Sequence, residues 1–306
     1  MVGKLMGRFN LIVGSDGILS QYIALSKPKI ILLLLLTALG GMFLAESGFP
    51  NILLVFNVLL GGTLASAGAN AINQYLDRDI DAQMKRTRKR PIISGRIKPS
   101  HAWIFGVFLN LVAFVWLMFG VNIIAALLTL SATLFYVFVY TIFLKRSSTQ
   151  NIVIGGAAGS IPPVVGWVAV TGELTWPALF LFAIVFFWTP PHFWALALLI
   201  KDDYERVNVP MLPVVEGVDS TKRSIFLYTV VMLFLTTAFW IFSYFLMPEL
   251  LGWIYLTGSL LLSSGFIFFA WQLLRKVDID GAKTLYLYSL LYLALVYVLL
   301  MVDSIV

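Results

Sequence analysis

The sequence predicts an all-α, polytopic membrane protein, with nine transmembrane helices bundled around a central cavity that opens to the cytoplasmic side. Three observations predict it. The 306 residues are 60% hydrophobic and 12% charged, where a soluble domain carries about 25% charge; mean hydropathy is +0.93. Apolar runs of about 20 residues, the length that crosses a bilayer as a helix, recur along the chain. All 21 Lys and Arg fall in the N-terminal stretch or in alternate connections, which is the positive-inside pattern.

The first apolar run follows Lys27-Pro28-Lys29. It is read as a retained helix over 28–47, because a second run follows directly and no small-residue cleavage site intervenes. Span two covers 51–72 and leads into the polar stretch 73–100. Spans three and four, 101–120 and 122–144, are separated by a very short turn and followed by KRSSTQ. Span five, 151–170, contains GGAAGSIPPVVGW. Its small residues predict close helix packing, and Pro162-Pro163 predicts a kink that opens space for a substrate. It lacks the GK[ST] ending of a phosphate loop. Span six, 176–200, carries WTPPHFWALAL and runs into KDDYERVNVPMLP, where Pro210 and Pro213 stop the helix. Spans seven to nine cover 224–247, 250–271 and 284–303.

The cations follow spans two, four, six and eight, while Glu46, Glu173, Glu249 and Asp303 mark the other side. The N-terminus is therefore expected in the cytoplasm and the C-terminus across the membrane. The organisation expected is one domain, 1–306, with an N-terminal cytoplasmic segment 1–25 and active-site loops 73–100 and 201–223. There is no cysteine, which excludes disulfides and thiolate chemistry, and two histidines alone cannot build a multi-histidine zinc site. The net charge of +6 is explained by loop placement, so no nucleic-acid partner is implied.

Asn73, Asp77 and Asp81 stand four residues apart at the end of span two. On a helix such residues drift by about 40° per step and share one face. Two carboxylates and an amide at a membrane edge are costly without a partner, and hard oxygens in this set suit Mg²⁺, which commonly brings phosphate oxygens with it. Asp79 points roughly opposite and is expected to meet Arg78, Arg86 or solvent. The basic run that follows fixes topology in any case. Within it Arg86 and Arg90, one turn apart if the helix continues, are the choices for clamping a diphosphate. Lys145 and Arg146 end span four, and the second acidic cluster offers Asp203 as a second metal ligand or a diphosphate clamp. His192 is an ionisable group inside span six and a functional candidate for that reason: a haem ligand, a proton acceptor or a water-orienting group. Acidic clusters at the edge of an apolar bundle fit an isoprenyl diphosphate. Its tail lies between helices, its neutralised head ionises at the allylic C1–O bond, and a dry cavity protects the carbocation.

At SKPKI (26–30), ANAINQYLDRDIDAQMKRTRKRPI (69–92), YTIFLKRSSTQNIVIGGAAGSIPPVVGW (140–167), WTPPHFWALAL (188–198) and KDDYERVNVPMLPVV (201–215) the chain resembles the UbiA superfamily of intramembrane prenyltransferases. TPPHFWALAL and PMLPVV resemble its haem-modifying branch. The second acidic motif departs from the superfamily's D-x₃-D, since Asp202 is followed at that spacing by Arg206 and Asp203 by Val207. Asp203 with Lys201 is its remnant. The resemblance implies transfer of the farnesyl group of farnesyl diphosphate to a vinyl group of haem B, with water addition, giving haem O and diphosphate. It assigns Asn73, Asp77 and Asp81 to the Mg²⁺–diphosphate, Arg86, Arg90, Lys145 and Arg146 to diphosphate or haem propionates, and His192 to the haem or the capturing water. It places the chain in the cell (inner) membrane and implies haem A synthase or terminal-oxidase assembly as partners. Two other readings stay open on the residues: an aromatic quinone precursor as acceptor, and a transporter with polar groups at the midplane.

Overall fold

The computed structural model describes residues 17–306, all-helical apart from its connections. Residues 1–16 of the expected N-terminal segment lie outside the described residues. Among the described residues, nine helices are long and apolar enough to cross a membrane: Pro28–Glu46, Ile52–Leu76, Pro99–Gly120, Ile123–Ser147, Asn151–Thr171, Trp176–Leu199, Gly217–Leu246, Trp253–Arg275 and Ala282–Asp303. These are spans one to nine, in the expected order. A short helix, Ile18–Ser26, precedes span one.

Their ends have local causes. Proline stands in the first turn of spans one, three and six, where its missing N–H has no helical partner to lose. Asn51 and Asn122 accept backbone N–H groups at the starts of spans two and four, the standard amide cap. Span seven begins at Gly217 rather than at 224, because the Lys222 side chain is buried: its Nζ donates to the carbonyls of Lys276 (2.8 Å) and Val277 (3.4 Å). Hydropathy reads a lysine as loop, whereas here its side chain bonds the carbonyls just past the end of span eight.

The spans close into a ring. Span two packs along span three, the second half of span five along span one, span six against seven and nine, and span nine back against span one. Span one and span five touch backbone to backbone. A Cβ on Gly166 would lie 1.9 Å from the Ala38 carbonyl oxygen, and one on Gly41 would lie 2.2 Å from that of Pro163. The small residues of span five therefore serve close packing, as expected. The break in this span falls at Ser160, between helices Asn151–Gly159 and Ile161–Thr171, with the proline pair opening the second helix. Span four widens to a π-helix over Phe135–Leu144.

Candidate active site

The regular helix of span two ends at Leu76, and Asp77 is its cap, with a six-residue helix, Arg78–Gln83, beyond it. The hydrogen-bond spacing survives the junction: Asp77 N donates to Asn73 O (2.9 Å) and Asp81 N to Asp77 O (2.8 Å). The three side chains therefore stay in register although they do not share one continuous helix. Asp77 is fully buried and Asp81 is 3% exposed, which demands compensation by charge.

Span two itself, the loop after it and the end of span four supply it. Asn73 Nδ2 donates to Asp77 Oδ2 (2.8 Å) and to Thr141 Oγ1 (3.2 Å). Lys145 Nζ pairs with Asp77 Oδ2, and Arg90 pairs with Asp81 Oδ2. Arg146 grips Asp79 with two bonds of 2.7 and 2.8 Å and stands 3.9 Å from Asp77 Oδ1. Asp79 thus meets Arg146 rather than Arg78 or Arg86, and, as expected, solvent, its side chain being 58% exposed; the hydrogen bond from Arg146 holds its carboxyl down at about 2. The loops after spans two and four are brought together by these pairs.

Lys27 was not singled out by the sequence. It links the helix Ile18–Ser26 to span one in the left-handed region, φ 54°, an uncommon conformation for a residue with a Cβ. Gln74 Nε2 donates to Leu25 O (2.7 Å) and Asn70 Nδ2 to Ser26 O (3.2 Å), so span two itself holds the turn. Lys27 Nζ then reaches Asn73 Oδ1 at 3.4 Å. Desolvation, then the nearby Arg90 and Lys145, push its ammonium down to about 7. The available signal was a lysine directly before the proline that opens span one.

Arg86 and Arg90 are not one helical turn apart. The helix stops at Gln83 and the segment beyond is a series of turns, so the two side chains part: Arg90 faces Asp81 and Arg86 is exposed. Asp203 accounts for the shape of this segment. Its Oδ1 accepts Lys85 N (3.3 Å) and Arg206 Nη1 (2.9 Å), and its Oδ2 accepts Arg86 N (3.4 Å). Burial pushes the Asp203 carboxyl up, but these donors outweigh it and its pKa is lowered. The chain itself fills this carboxylate. No three Asp, Glu or His side chains converge among the described residues, at Asp203 or at Asp77 and Asp81; what sets Asp203 apart is that Lys85 N, Arg86 N and Arg206 already bond its two oxygens. Lys201, half-buried, opens the same short helix, Lys201–Arg206.

The first position is different. Asp77 Oδ1 is buried and has no hydrogen-bond donor. A hard carboxylate oxygen without a hydrogen-bond donor, beside an amide and a second carboxylate, is the donor chemistry Mg²⁺ takes, leaving its other positions to phosphate oxygens.

Toward the bilayer interior from Asn73 lies an apolar cavity between spans one, two, four and five. Span two lines it with Asn70, Ser66, Gly62 and Val58, span one with Ile30, Leu34 and Ala38, and Tyr136, Pro162 and Val165 face them. His192 does not line it. Its ring is stacked between Trp188 and Tyr286, at 4.3 and 4.8 Å, and its Nδ1 lies 2.7 Å from Ser289 Oγ. That hydroxyl donates to Tyr286 O, so Nδ1 carries the proton and Nε2 is left as the acceptor.

A polyanion site capped by cations, over an apolar cavity, now has a family to belong to: residues 34–301 match the UbiA prenyltransferase family. The chain is a member of the UbiA family. It is 50% identical over 298 residues to a protoheme IX farnesyltransferase of Roseiflexus sp., covering 97% of this chain and 54% of that protein, so it spans about half of that relative's length. A protoheme IX farnesyltransferase of Gloeothece citriformis is 50% identical over 94% of this chain and 88% of its own. The UbiA fold is also seen in a solved structure of a digeranylgeranylglyceryl phosphate synthase (TM-score 0.75, 20% identity, 94% of this chain and 99% of that one). A UbiA homologue from Archaeoglobus fulgidus, solved with DMAPP and Mg²⁺, is similar in fold (TM-score 0.66, 14% identity, 92% and 99% covered).

Proposed function

We propose that this UbiA chain transfers the farnesyl group of farnesyl diphosphate to a vinyl group of haem B, giving haem O and diphosphate. The observation that carries the reading is the buried Asp77, with one oxygen lacking a hydrogen-bond donor, set among Lys27, Arg90, Lys145 and Arg146 beside an apolar cavity. The half-identical relatives supply the acceptor. The nine spans act as one domain, with the basic loops and the N-terminus in the cytoplasm.

Lys27, Arg86, Arg90, Lys145 and Arg146 bind and orient the diphosphate and balance its charge as the C1–O bond breaks. Mg²⁺ held by Asn73, Asp77 and Asp81 supplies further neutralisation of the leaving diphosphate when bound. The apolar walls exclude water from the allylic cation. Its C1 bonds to the terminal vinyl carbon of haem; the new cation, next to the porphyrin, takes a water oxygen and releases a proton. His192, with Nε2 as acceptor, is assigned to the haem side. Lys201 is assigned to the second loop's contact with the departing anion.

The test is purified protein with haem B, Mg²⁺ and farnesyl diphosphate, read by mass analysis. A haem heavier by a farnesyl and a hydroxyl group, with one diphosphate released, is expected. A prenylated phenol formed from an aromatic acid, with haem B unchanged, would reassign the acceptor.

A further inference from the structure

We propose that the depth of the cavity along span two limits the prenyl chain the protein accepts, with Ser66, Gly62 and Val58 as graduations. The inference rests on the prenyl-transfer reading above. Asn70, Ser66, Gly62 and Val58 all line the cavity, one turn apart, so they form a single stripe from mouth to floor. Twelve residues at 1.5 Å each separate Asn70 from Val58, about 18 Å. Span one faces this stripe with its own, Ile30, Leu34 and Ala38.

The floor is closed. Val58 is 2% exposed and packs with Ala38, Met42, Ala125 and Val165 in one buried cluster. A three-unit prenyl chain has twelve main-chain carbons and spans about 15 Å when extended, and a four-unit chain about 20 Å. Three units therefore end just above Val58, and a fourth meets packed side chains that have no room to give. Gly62 sits about 12 Å below Asn70 by the same rise, just beyond the reach of two units, about 10 Å. A Cβ there would meet only the Leu35 Cδ2 methyl, at 3.3 Å. That contact is the end of a flexible side chain, so a larger residue at 62 extends into the cavity without displacing backbone.

The experiment offers geranyl, farnesyl and geranylgeranyl diphosphates in equal amounts, with haem B and Mg²⁺, and reads the haem products by mass. In parallel, binding of each diphosphate is measured without haem. The wild type is expected to favour farnesyl over geranylgeranyl at least tenfold. Gly62→Leu is expected to move the preference to geranyl by at least tenfold, and Val58→Ala to raise geranylgeranyl use at least threefold. Unchanged ratios in the folded variants, or equal use of geranylgeranyl by the wild type, overturn the proposal, because the tail then leaves sideways into the bilayer. Should Gly62→Leu not fold, Val58→Ala carries the test, since it only removes volume. A wild type that binds the three diphosphates in the expected order yet prenylates no haem overturns the acceptor reading and leaves the length limit standing.

Discussion

Asp203→Asn separates a loop clip from a metal ligand. The wild-type carboxylate accepts two backbone N–H groups, at 3.3 and 3.4 Å, and the Arg206 guanidinium at 2.9 Å. Hydrogen bonds to a charged group are worth about 1.5–3 kcal/mol each, and the two long ones belong at the low end. Arg206 is 37% exposed, so its share is held to at most about 1 kcal/mol. Asparagine keeps one neutral acceptor and turns an amide N–H₂ toward a backbone donor. The net loss is about 2–3 kcal/mol, a 30- to 150-fold shift toward an undocked 84–90 segment. Arg90 rides on that segment, so KM for the prenyl diphosphate is expected to rise by at least tenfold, with global thermal stability little changed. Hydrogen exchange at 84–90 is expected to accelerate alongside it. Raising Mg²⁺ is not expected to restore activity. If excess Mg²⁺ rescues Asp203→Asn while exchange in the loop stays at the wild-type rate, the clip argument is wrong and the carboxylate serves a metal.

Other perturbations probe the buried charges. Lys27 titrates near 7 in the free protein, and a bound polyanion favours its ammonium form. Binding therefore takes up a proton, and diphosphate affinity should fall as pH rises through and above 7; Lys27→Arg should flatten that profile, and a flat wild-type profile would contradict it. The same depressed pKa means that the unfolded chain binds more protons between about 7 and 10.5, so ligand-free stability should rise with pH across that window. Asp77→Asn leaves Lys145 without its carboxylate, a change that costs about 3–5 kcal/mol for a buried pair. Adding Lys145→Met should recover much of the melting temperature but none of the activity, and recovery of turnover would remove Asp77 from the chemistry. His192→Phe keeps the ring stack and loses the Ser289 bond; farnesyl diphosphate binding should be unchanged while haem turnover drops at least tenfold. Equal loss of both would make His192 a packing residue.

The nine spans were legible because each is a bounded apolar run, and their observed ends fall close to those expected wherever Pro or Asn marks a boundary. The stripe of Asn73, Asp77 and Asp81 was legible because i, i+4 spacing is local. Lys145 on Asp77 was not, since 68 residues separate them and only the packing of span four on span two joins them. Lys27 escaped notice because its left-handed turn is imposed by Asn70 and Gln74 rather than by its own neighbours. Asp203 looked like a ligand because a carboxylate's oxygens carry no mark in sequence of the backbone N–H groups that fill them. The same holds for Lys222, whose acceptors lie in the connection after span eight.

The wide helical turns of Phe135–Leu144 amount to one residue more than an α-helix needs. The Thr141 hydroxyl bonds the Tyr136 carbonyl five residues back, at 2.9 Å, and the same Thr141 receives Asn73. Each residue turns an α-helix by about 100°. Deleting a single position between 135 and 139 therefore returns an ordinary helix with Thr141, Lys145 and Arg146 still in register, whereas a deletion between Thr141 and Lys145 turns Lys145 and Arg146 by about 100° away from Asp77 and Asp79. A scan of one-residue deletions along span four should accordingly keep diphosphate binding at 135–139 and lose it at 142–144.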